Sequence, residues 1–222
     1  MTPPDVRAFV GDSYPHNHTY FVGDRKLKPH RQLATRVARL SECYPSPLES
    51  LLDLSCSKGF FVFDAVSRLG CRRALGVDLD LQCLHACQSM RQRFTGASHI
   101  QFVRLNLREM AERIDDFGGP FQTVLLINSY QYFVLGSDIA PGISLDHAEI
   151  FHLLRRVCSG RLIFENRIQL QHLQRNLKER AARLGSRFAY NPHVIIDAAG
   201  RYFNVQPLAS WSRYPTIVMD AI

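Results

Sequence analysis

Apolar residues along this chain alternate between two spacings. Short unbroken apolar runs, suited to buried strands, are separated by stretches in which apolar positions recur every three or four residues, as on a helix. Residues 29–43 carry Leu33, Val37 and Leu40 at helical spacing, and Tyr44-Pro45-Ser46-Pro47 breaks that helix. Five strands then alternate with helices: strands are predicted at 50–55, 73–78, 100–105, 121–127 and 160–165. Between them, helices are predicted at 59–69 (ended by Gly70), 80–93 (with Asp80 as N-cap), near 107–115, and 144–157 (capped by Ser144). The fourth strand, FQTVLLI, is the most apolar, and Gly118-Gly119-Pro120 punctuates the chain before it.

Strands and helices alternating at this spacing form βαβ units, which build a parallel sheet covered on both faces. The tail changes character. Residues 168–185 read as a polar-faced helix with Leu170, Leu173, Leu177 and Leu184 on its apolar side. Asn191-Pro192 opens a further helix that ends at Gly200, an N-cap followed by proline in the first turn. Strands at 202–208 and 215–220 close the chain, and the link between them is too short for a helical crossover, so they pair antiparallel at the sheet edge. Residues 1–24 are rich in Pro, Gly, His and Tyr and read as irregular. The chain is therefore α/β, with an N-terminal segment (1–47) and a main domain (48–222).

Composition narrows the function. At 222 residues and 46% hydrophobic, the chain can bury a sizeable core and is neither disordered nor low in complexity. No apolar run approaches the length of a membrane span, and MTPPDVRAFV lacks the layout of a secretory signal, so the protein is expected to be cytoplasmic, with no membrane partner. Its six cysteines include no CxxC pair and read as reduced, mostly buried thiols. His16, His18 and His30 lack a partner motif with ligand spacing, so no metal site is expected. The net charge is +7, and only Lys26, Lys28, Lys58 and Lys178 are lysines; the other basic residues are arginines. Residues 155–187 alone hold nine basic against two acidic residues. Such a stretch either attracts phosphates or is the solvated face of a helix.

The chemistry sits at the carboxyl ends of the predicted strands, where open α/β sheets bind their ligands. The first strand runs into Asp53-Leu54-Ser55-Cys56-Ser57-Lys58-Gly59-Phe60, a tight turn of small residues that leads into a helix start and lets backbone N–H groups approach a ligand. The second strand ends at Asp78, whose carboxylate can accept from both hydroxyls of a ribose. Together they suggest a pocket for a nucleoside cofactor. The GxGxxG fingerprint would place its last glycine at Phe60, which argues against NAD or FAD.

With these motifs the sequence resembles the class I S-adenosylmethionine (SAM)-dependent methyltransferases. LLDLSCSKGFF matches their first motif at Asp53, Ser55, Ser57 and Gly59, GVDLD matches the second at Asp78, VRLNL the third at Asn106, and LLINSYQYF the fourth. The resemblance covers roughly residues 48–220. It implies a doubly wound, mostly parallel, seven-stranded Rossmann-like sheet with an antiparallel edge hairpin, and SAM as cofactor. It implies that Asp53 and the 55–59 backbone hold the methionine end, Asp78 the ribose, Asn106 and Leu107 the adenine, and that Asn128 and Ser129 border the methyl group. The N-terminal segment would serve as a lid. Two glycines of the family loop are serines here, which would be strained wherever the turn needs φ > 0. Asn106 stands where aspartate is commoner, and its amide oxygen can still accept from an adenine amine.

Methyl transfer from a sulfonium is dominated by positioning, and a general base is optional. Candidate bases are His147, near the start of the helix after strand four, and Glu165 at the end of strand five. Tyr130, Tyr132 and Phe133 could line a pocket for a planar substrate. The leading expectation is a methyltransferase for a small-molecule acceptor. RNA, drawn by the basic 155–187 segment, is the runner-up, although no RNA-binding module or RNA-methylase motif is recognisable. A SAM-binding but catalytically silent subunit is the third.

Overall fold

A computed structural model describes residues 20–23, 26–29, 32–92, 94, 96–140, 144–184, 188–206 and 212–222. These residues fall into two compact units that divide between Leu105 and Asn106. His16, His18 and His30 lie outside the described residues. Among those described, no group of His, Cys, Asp and Glu side chains could hold a metal ion, and no helix is long and apolar enough to cross a membrane.

The first unit opens with a two-stranded antiparallel ribbon, β1 (Tyr20–Gly23) and β2 (Lys26–Pro29), so Tyr20–Gly23 is a strand where the sequence suggests irregular chain. Helix α1 (Gln32–Ser41) follows, with Leu33 and Leu40 buried. Three parallel strands come next: β3 (Ser50–Leu54), β4 (Arg73–Val77) and β5 (Ile100–Val103), with β4 paired to both of the others. They are connected by α2 (Phe60–Ser67) and α3 (Leu81–Arg91). Every residue of β3 is buried, as expected of a parallel strand covered on both faces. Asp80 caps α3, accepting from the Gln82 and Cys83 N–H groups. In mid-β4, a Cβ on Gly76 would stand 2.6 Å from the Phe102 ring and 2.8 Å from the Cys56 sulfur, so only glycine fits there.

The second unit contains α4 (Leu107–Glu112), β6 (Phe121–Ile127), α5 (Tyr130–Leu135), α6 (His147–Val157), β7 (Cys158–Glu165), α7 (Arg175–Leu184), α8 (Pro192–Gly200), β8 (Phe203–Val205) and β9 (Thr216–Ala221). β6 and β7 pair parallel, and β9 runs antiparallel to both β7 and β8. The core around β7 is aromatic: the Tyr130 ring meets Phe164 at 5.1 Å and Phe151 at 5.7 Å, and Phe151 meets Phe203 at 6.4 Å. The seven strands β3–β9 form a mixed sheet in the order β5-β4-β3-β6-β7-β9-β8, with the antiparallel pair at one edge. This is the doubly wound, seven-stranded architecture expected.

Three boundaries differ from the sequence pattern. Helix α6 is capped by Asp146, whose carboxylate accepts from the Glu149 N–H at 2.8 Å, and not by Ser144. β7 begins at Cys158 because Gly160 brings its backbone against the Gln122 carbonyl, where the register with β6 shifts; a Cβ there would stand 2.6 Å from that oxygen. The helix predicted over 168–185 is cut back to Arg175–Leu184, after a single 3-10 turn at Leu170–His172. The Arg167 carbonyl accepts from the Tyr190 hydroxyl at 2.7 Å and so does not start a helical ladder. Leu170 is consequently 44% exposed, whereas Ile168, Leu173 and Leu177 are buried.

Candidate functional site

The loop after β3 turns by means of three left-handed residues, Ser55 (φ 69), Ser57 (φ 50) and Gly59 (φ 75). Only at Gly59 is that conformation free of a Cβ penalty. The two serines cost on the order of 1–2 kcal/mol each. Hydrogen bonds hold the strain in place. The N–H groups of Ser55 and Cys56 both donate to the Val77 carbonyl, at 2.8 and 2.9 Å, and the Ser57 N–H donates to Asp78 Oδ2 at 2.7 Å. Gly59 is also packed too closely for a side chain: its Cβ would stand 2.9 Å from the Phe102 ring and 3.0 Å from the Cys87 sulfur. Phe60 begins α2 and packs edge-on against Tyr20 at 5.3 Å, and the Tyr20 hydroxyl donates to the Lys58 carbonyl at 2.7 Å. The loop is thus fixed before any ligand arrives.

Two carboxyl groups stand beside it. Asp53 is 2% exposed, and burial pushes its pKa up to about 8, with the Asp78 charge adding to the shift and Arg36 opposing it. Asp78 is half-buried and also shifted upward by desolvation, against the pull of backbone N–H donors. Its Oδ2 accepts from Ser57 and its Oδ1 from the Asp80 N–H at 2.9 Å. A carboxylate offers about four lone-pair directions, so acceptor capacity remains for two ribose hydroxyls. These residues fit the nucleoside end of SAM. A strained small-residue loop, tied to an acid that still has open lone pairs, is what such a ligand requires.

Two buried thiols back the same loop. The Cys87 thiol donates to the Ser57 carbonyl at 3.2 Å, Cys83 lies 3.9 Å from the Ser57 hydroxyl, and burial pushes the Cys83 thiol up to about 12. None of the six cysteines forms a disulfide, and all but Cys43 are buried. They act as small apolar packing groups.

In the second unit, Asn106 caps α4 in a capping box. Its Oδ1 accepts from the Glu109 N–H at 3.1 Å, while its own N–H donates to Glu109 Oε2 at 2.8 Å. Its side-chain NH₂ and one further lone pair are left for another partner. Leu107 is buried in the first turn of that helix.

The turn after β6 is the most constrained part of this unit. Asn128 has φ 54, its N–H donates to the Glu165 carbonyl at 2.7 Å, and its carbonyl accepts from Gln131 Nε2 at 2.8 Å. Ser129 does not cap α5 with its own side chain. Asn166, fully buried just beyond β7, does so instead: its Oδ1 accepts from the N–H groups of Ser129 (2.8 Å) and Tyr130 (2.9 Å), and its Nδ2 donates to the Leu126 carbonyl at 2.7 Å. Asn128 Oδ1, Ser129 Oγ and Gln131 Oε1 are buried and have no hydrogen-bond partner among the described residues. Among the described residues, the left-handed non-glycine positions are Ser55, Ser57 and Asn128, each just past the carboxyl end of a parallel strand. Strain and unpaired buried polar atoms concentrate at functional sites.

His147 is 4% exposed and not at the helix surface. Its Nδ1 lies 2.6 Å from the Tyr130 hydroxyl, and its ring packs 5.9 Å from Tyr130 and 6.2 Å from Tyr190. Burial lowers its pKa, against the Ala189 backbone and the Asp146 carboxylate, and its Nε2 is buried with no hydrogen-bond partner among the described residues. Glu165 is fully buried, and its Oε2 accepts from the Thr216 hydroxyl at 3.0 Å. Arg167 turns away to the Tyr214 hydroxyl.

No protein-family model matches the chain, and no curated protein matches it. Solved structures do. The chain is similar to the PH0226 protein of Pyrococcus horikoshii OT3 over 87% of its own length and 92% of that chain, at 18% identity and a TM-score of 0.59. It is similar to a geranyl diphosphate methyltransferase in complex with SAM over 87% and 86%, at 14% identity and a TM-score of 0.60. It is also similar to the N-methyltransferase NodS of Bradyrhizobium japonicum WM9 over 84% and 92%, at 12% identity and a TM-score of 0.50. The chain has the class I methyltransferase fold.

Within that fold, the structure brings Ser57 and Asp78 into direct contact and places Asn128 and Ser129 on one strained turn. Asn166 and Gln131 help to build this turn, and the sequence pattern passes over both. The signal for Asn166 was a polar pair, Glu165-Asn166, closing an otherwise apolar strand.

Proposed function

We propose that this protein is a SAM-dependent methyltransferase acting on a small-molecule acceptor. SAM supplies an electrophilic methyl group on a sulfonium. The observation that carries the reading is the Ser57–Asp78 bond beside two left-handed serines, because an acid that both shapes the loop and keeps lone pairs open suits a ribose. In this reading the 55–59 backbone and Asp53 face the methionine end, Asp78 takes the ribose hydroxyls, Asn106 and Leu107 stand beside the adenine, and Asn128 and Ser129 border the methyl group. His147 and Glu165 are held by Tyr130 and Thr216 and are not needed as bases if the nucleophile is a neutral amine.

The basic segment favours a small acceptor over RNA, since several of its arginines are engaged within the chain. Arg155 donates to the Ile222 and Cys158 carbonyls, Arg161 pairs with Asp220, Arg175 with Glu179, and Arg180 with Asp138. Calorimetry tests the reading. SAM and its demethylated product, S-adenosylhomocysteine, should bind and NAD should not; tight NAD binding with no response to either SAM species would refute it. A silent subunit would bind SAM without turnover in the presence of any acceptor.

A further inference from the structure

We infer that Arg167, Arg213 and Tyr214 form a site for an oxyanion, and that this anion is a carboxylate, sulfate or phosphate group carried by a small-molecule methyl acceptor. Its assignment to the acceptor rests on the methyltransferase reading above, whereas the site itself does not.

The topology puts the three residues together. β7 and β9 pair antiparallel, with Glu165 opposite Thr216, and the Thr216 hydroxyl donates to Glu165 Oε2. Side chains repeat every two residues along a strand, so Arg167 and Tyr214, each two residues past that pair, extend the same face beyond the end of β7. They meet there: Arg167 Nε donates to the Tyr214 hydroxyl at 2.6 Å, and Arg167 Nη2 donates to the same oxygen. This is the carboxyl end of a parallel strand, where open α/β sheets bind ligands. The turn after β6 is tied to the same strand end by the bond from the Asn128 N–H to the Glu165 carbonyl.

The group carries positive charge that the fold does not neutralise. The Arg167 guanidinium lies 5.0 Å and that of Arg213 5.7 Å from the centre of the Tyr214 ring, and two like charges so placed repel each other. Arg161, Arg175 and Arg180 each pair with a carboxylate, and neither Arg167 nor Arg213 does so among the described residues. Arg167 and Tyr214 are half-buried and Arg213 is exposed, so a solute can reach them.

What the group offers a ligand is hydrogen-bond donors alone. A phenol oxygen has two lone pairs and one proton, and a guanidinium has no acceptor atom. Arg167 occupies both lone pairs of Tyr214, so that hydroxyl has only its proton left to give. An alcohol or an amide could take one such bond but would leave the two charges uncompensated. A carboxylate, sulfate or phosphate only accepts, matches the guanidinium fork and cancels the repulsion. Two arginines suit one small anion, whereas a nucleic-acid strand is bound by a basic groove that tracks its backbone.

Inorganic pyrophosphate is the probe. Calorimetry on the full chain at constant ionic strength should show it binding at one site, with and without saturating S-adenosylhomocysteine. Arg167→Met removes the charge and keeps an apolar stem, and should weaken pyrophosphate binding about tenfold, the factor for one charge-assisted hydrogen bond. Arg213→Met, at an exposed position, and Tyr214→Phe should each weaken it severalfold. Arg175→Met, on an exposed face of α7, should leave it unchanged, and S-adenosylhomocysteine affinity should stay within twofold in all four variants. No pyrophosphate binding by the wild type, or binding as tight in a folded Arg213→Met as in Arg175→Met, overturns the site and leaves the methyltransferase reading standing. Displacement of pyrophosphate by S-adenosylhomocysteine would put the cofactor's own carboxylate there, and retention of bulk RNA that Arg167→Met abolishes would put a nucleic acid there; either overturns the assignment to a small acceptor. A chain that binds pyrophosphate but neither SAM nor S-adenosylhomocysteine removes the methyltransferase reading, and the acceptor assignment with it, while the oxyanion site stands.

Discussion

Asp53 and Asp78 make opposite uses of one residue type. Asp53 is buried, and its raised pKa of about 8 means that the folded chain holds a proton there that the unfolded chain releases near the ordinary carboxyl value. Asp53 therefore stabilises the fold fully in acid, and that contribution is lost as pH rises from the ordinary carboxyl value towards 8, at up to ~1.4 kcal/mol per pH unit. Asp53→Asn should flatten this part of the pH–stability profile, as read by denaturant melts across the window. A cationic ligand end beside Asp53 would lower its pKa, so SAM binding should expel a proton and tighten towards pH 8; calorimetry in buffers of different ionisation heat measures that release. Asp78 instead ties Ser57 and Asp80 together, and in the reading proposed above it would take the ribose hydroxyls. Asp78→Ala should weaken SAM binding by about 1.5–3 kcal/mol, as expected when a charge-assisted contact is lost. Asp80→Ala should cost about 1 kcal/mol of stability by removing a helix cap, with affinity almost unchanged. Equal losses of affinity in both variants would mean that the ribose lies elsewhere.

Helix α7 decides how the basic segment is used. Leu177 is its buried residue, while the Arg175 side chain is 93% exposed and pairs with Glu179 one turn on. Arg180 is different: its side chain is 26% exposed and it holds Asp138, a residue between α5 and α6. Charge reversal should therefore separate the two. Arg175→Glu should change stability by less than about 0.5 kcal/mol, because exposed pairs contribute little. Arg180→Glu places like charges together and should cost about 1 kcal/mol in a thermal melt. Neither should alter SAM affinity. If the segment neutralised RNA phosphates, the log–log salt slope of filter binding would be steeper by roughly 0.7 per contact in the wild type than in the variants. Identical slopes are expected.

Across the chain, the carboxyl ends of the parallel strands carry both the left-handed serines and the strained Asn128, with the unpaired oxygens beside it. Stability is spent in the same places that a ligand would occupy. The expected selectivity for SAM over NAD follows from the first unit. Phe60 replaces the last fingerprint glycine and is packed against Tyr20 and Phe61, so helix α2 begins with a bulky side chain.

Local pattern was enough to give the alternation of strands and helices, the edge pair β8–β9, the Asp80 and Asn191 caps, and the loop between Asp53 and Phe60, because each depends on neighbours within a few residues. The strain at the two serines was also legible, since any non-glycine residue in a left-handed turn is penalised wherever it occurs. Tertiary structure decided the rest. Leu170 fits a helical stripe in sequence, yet Tyr190 takes the carbonyl that would have started that helix. His147 has the sequence position of a surface residue, and a cluster of rings from distant segments buries it. Asn166 caps a helix from 36 residues away, a distance no local rule spans. Whether a polar group is bonded or left open depends on which atoms the fold brings near it, and that is why the unpaired oxygens after β6 could be found only in three dimensions.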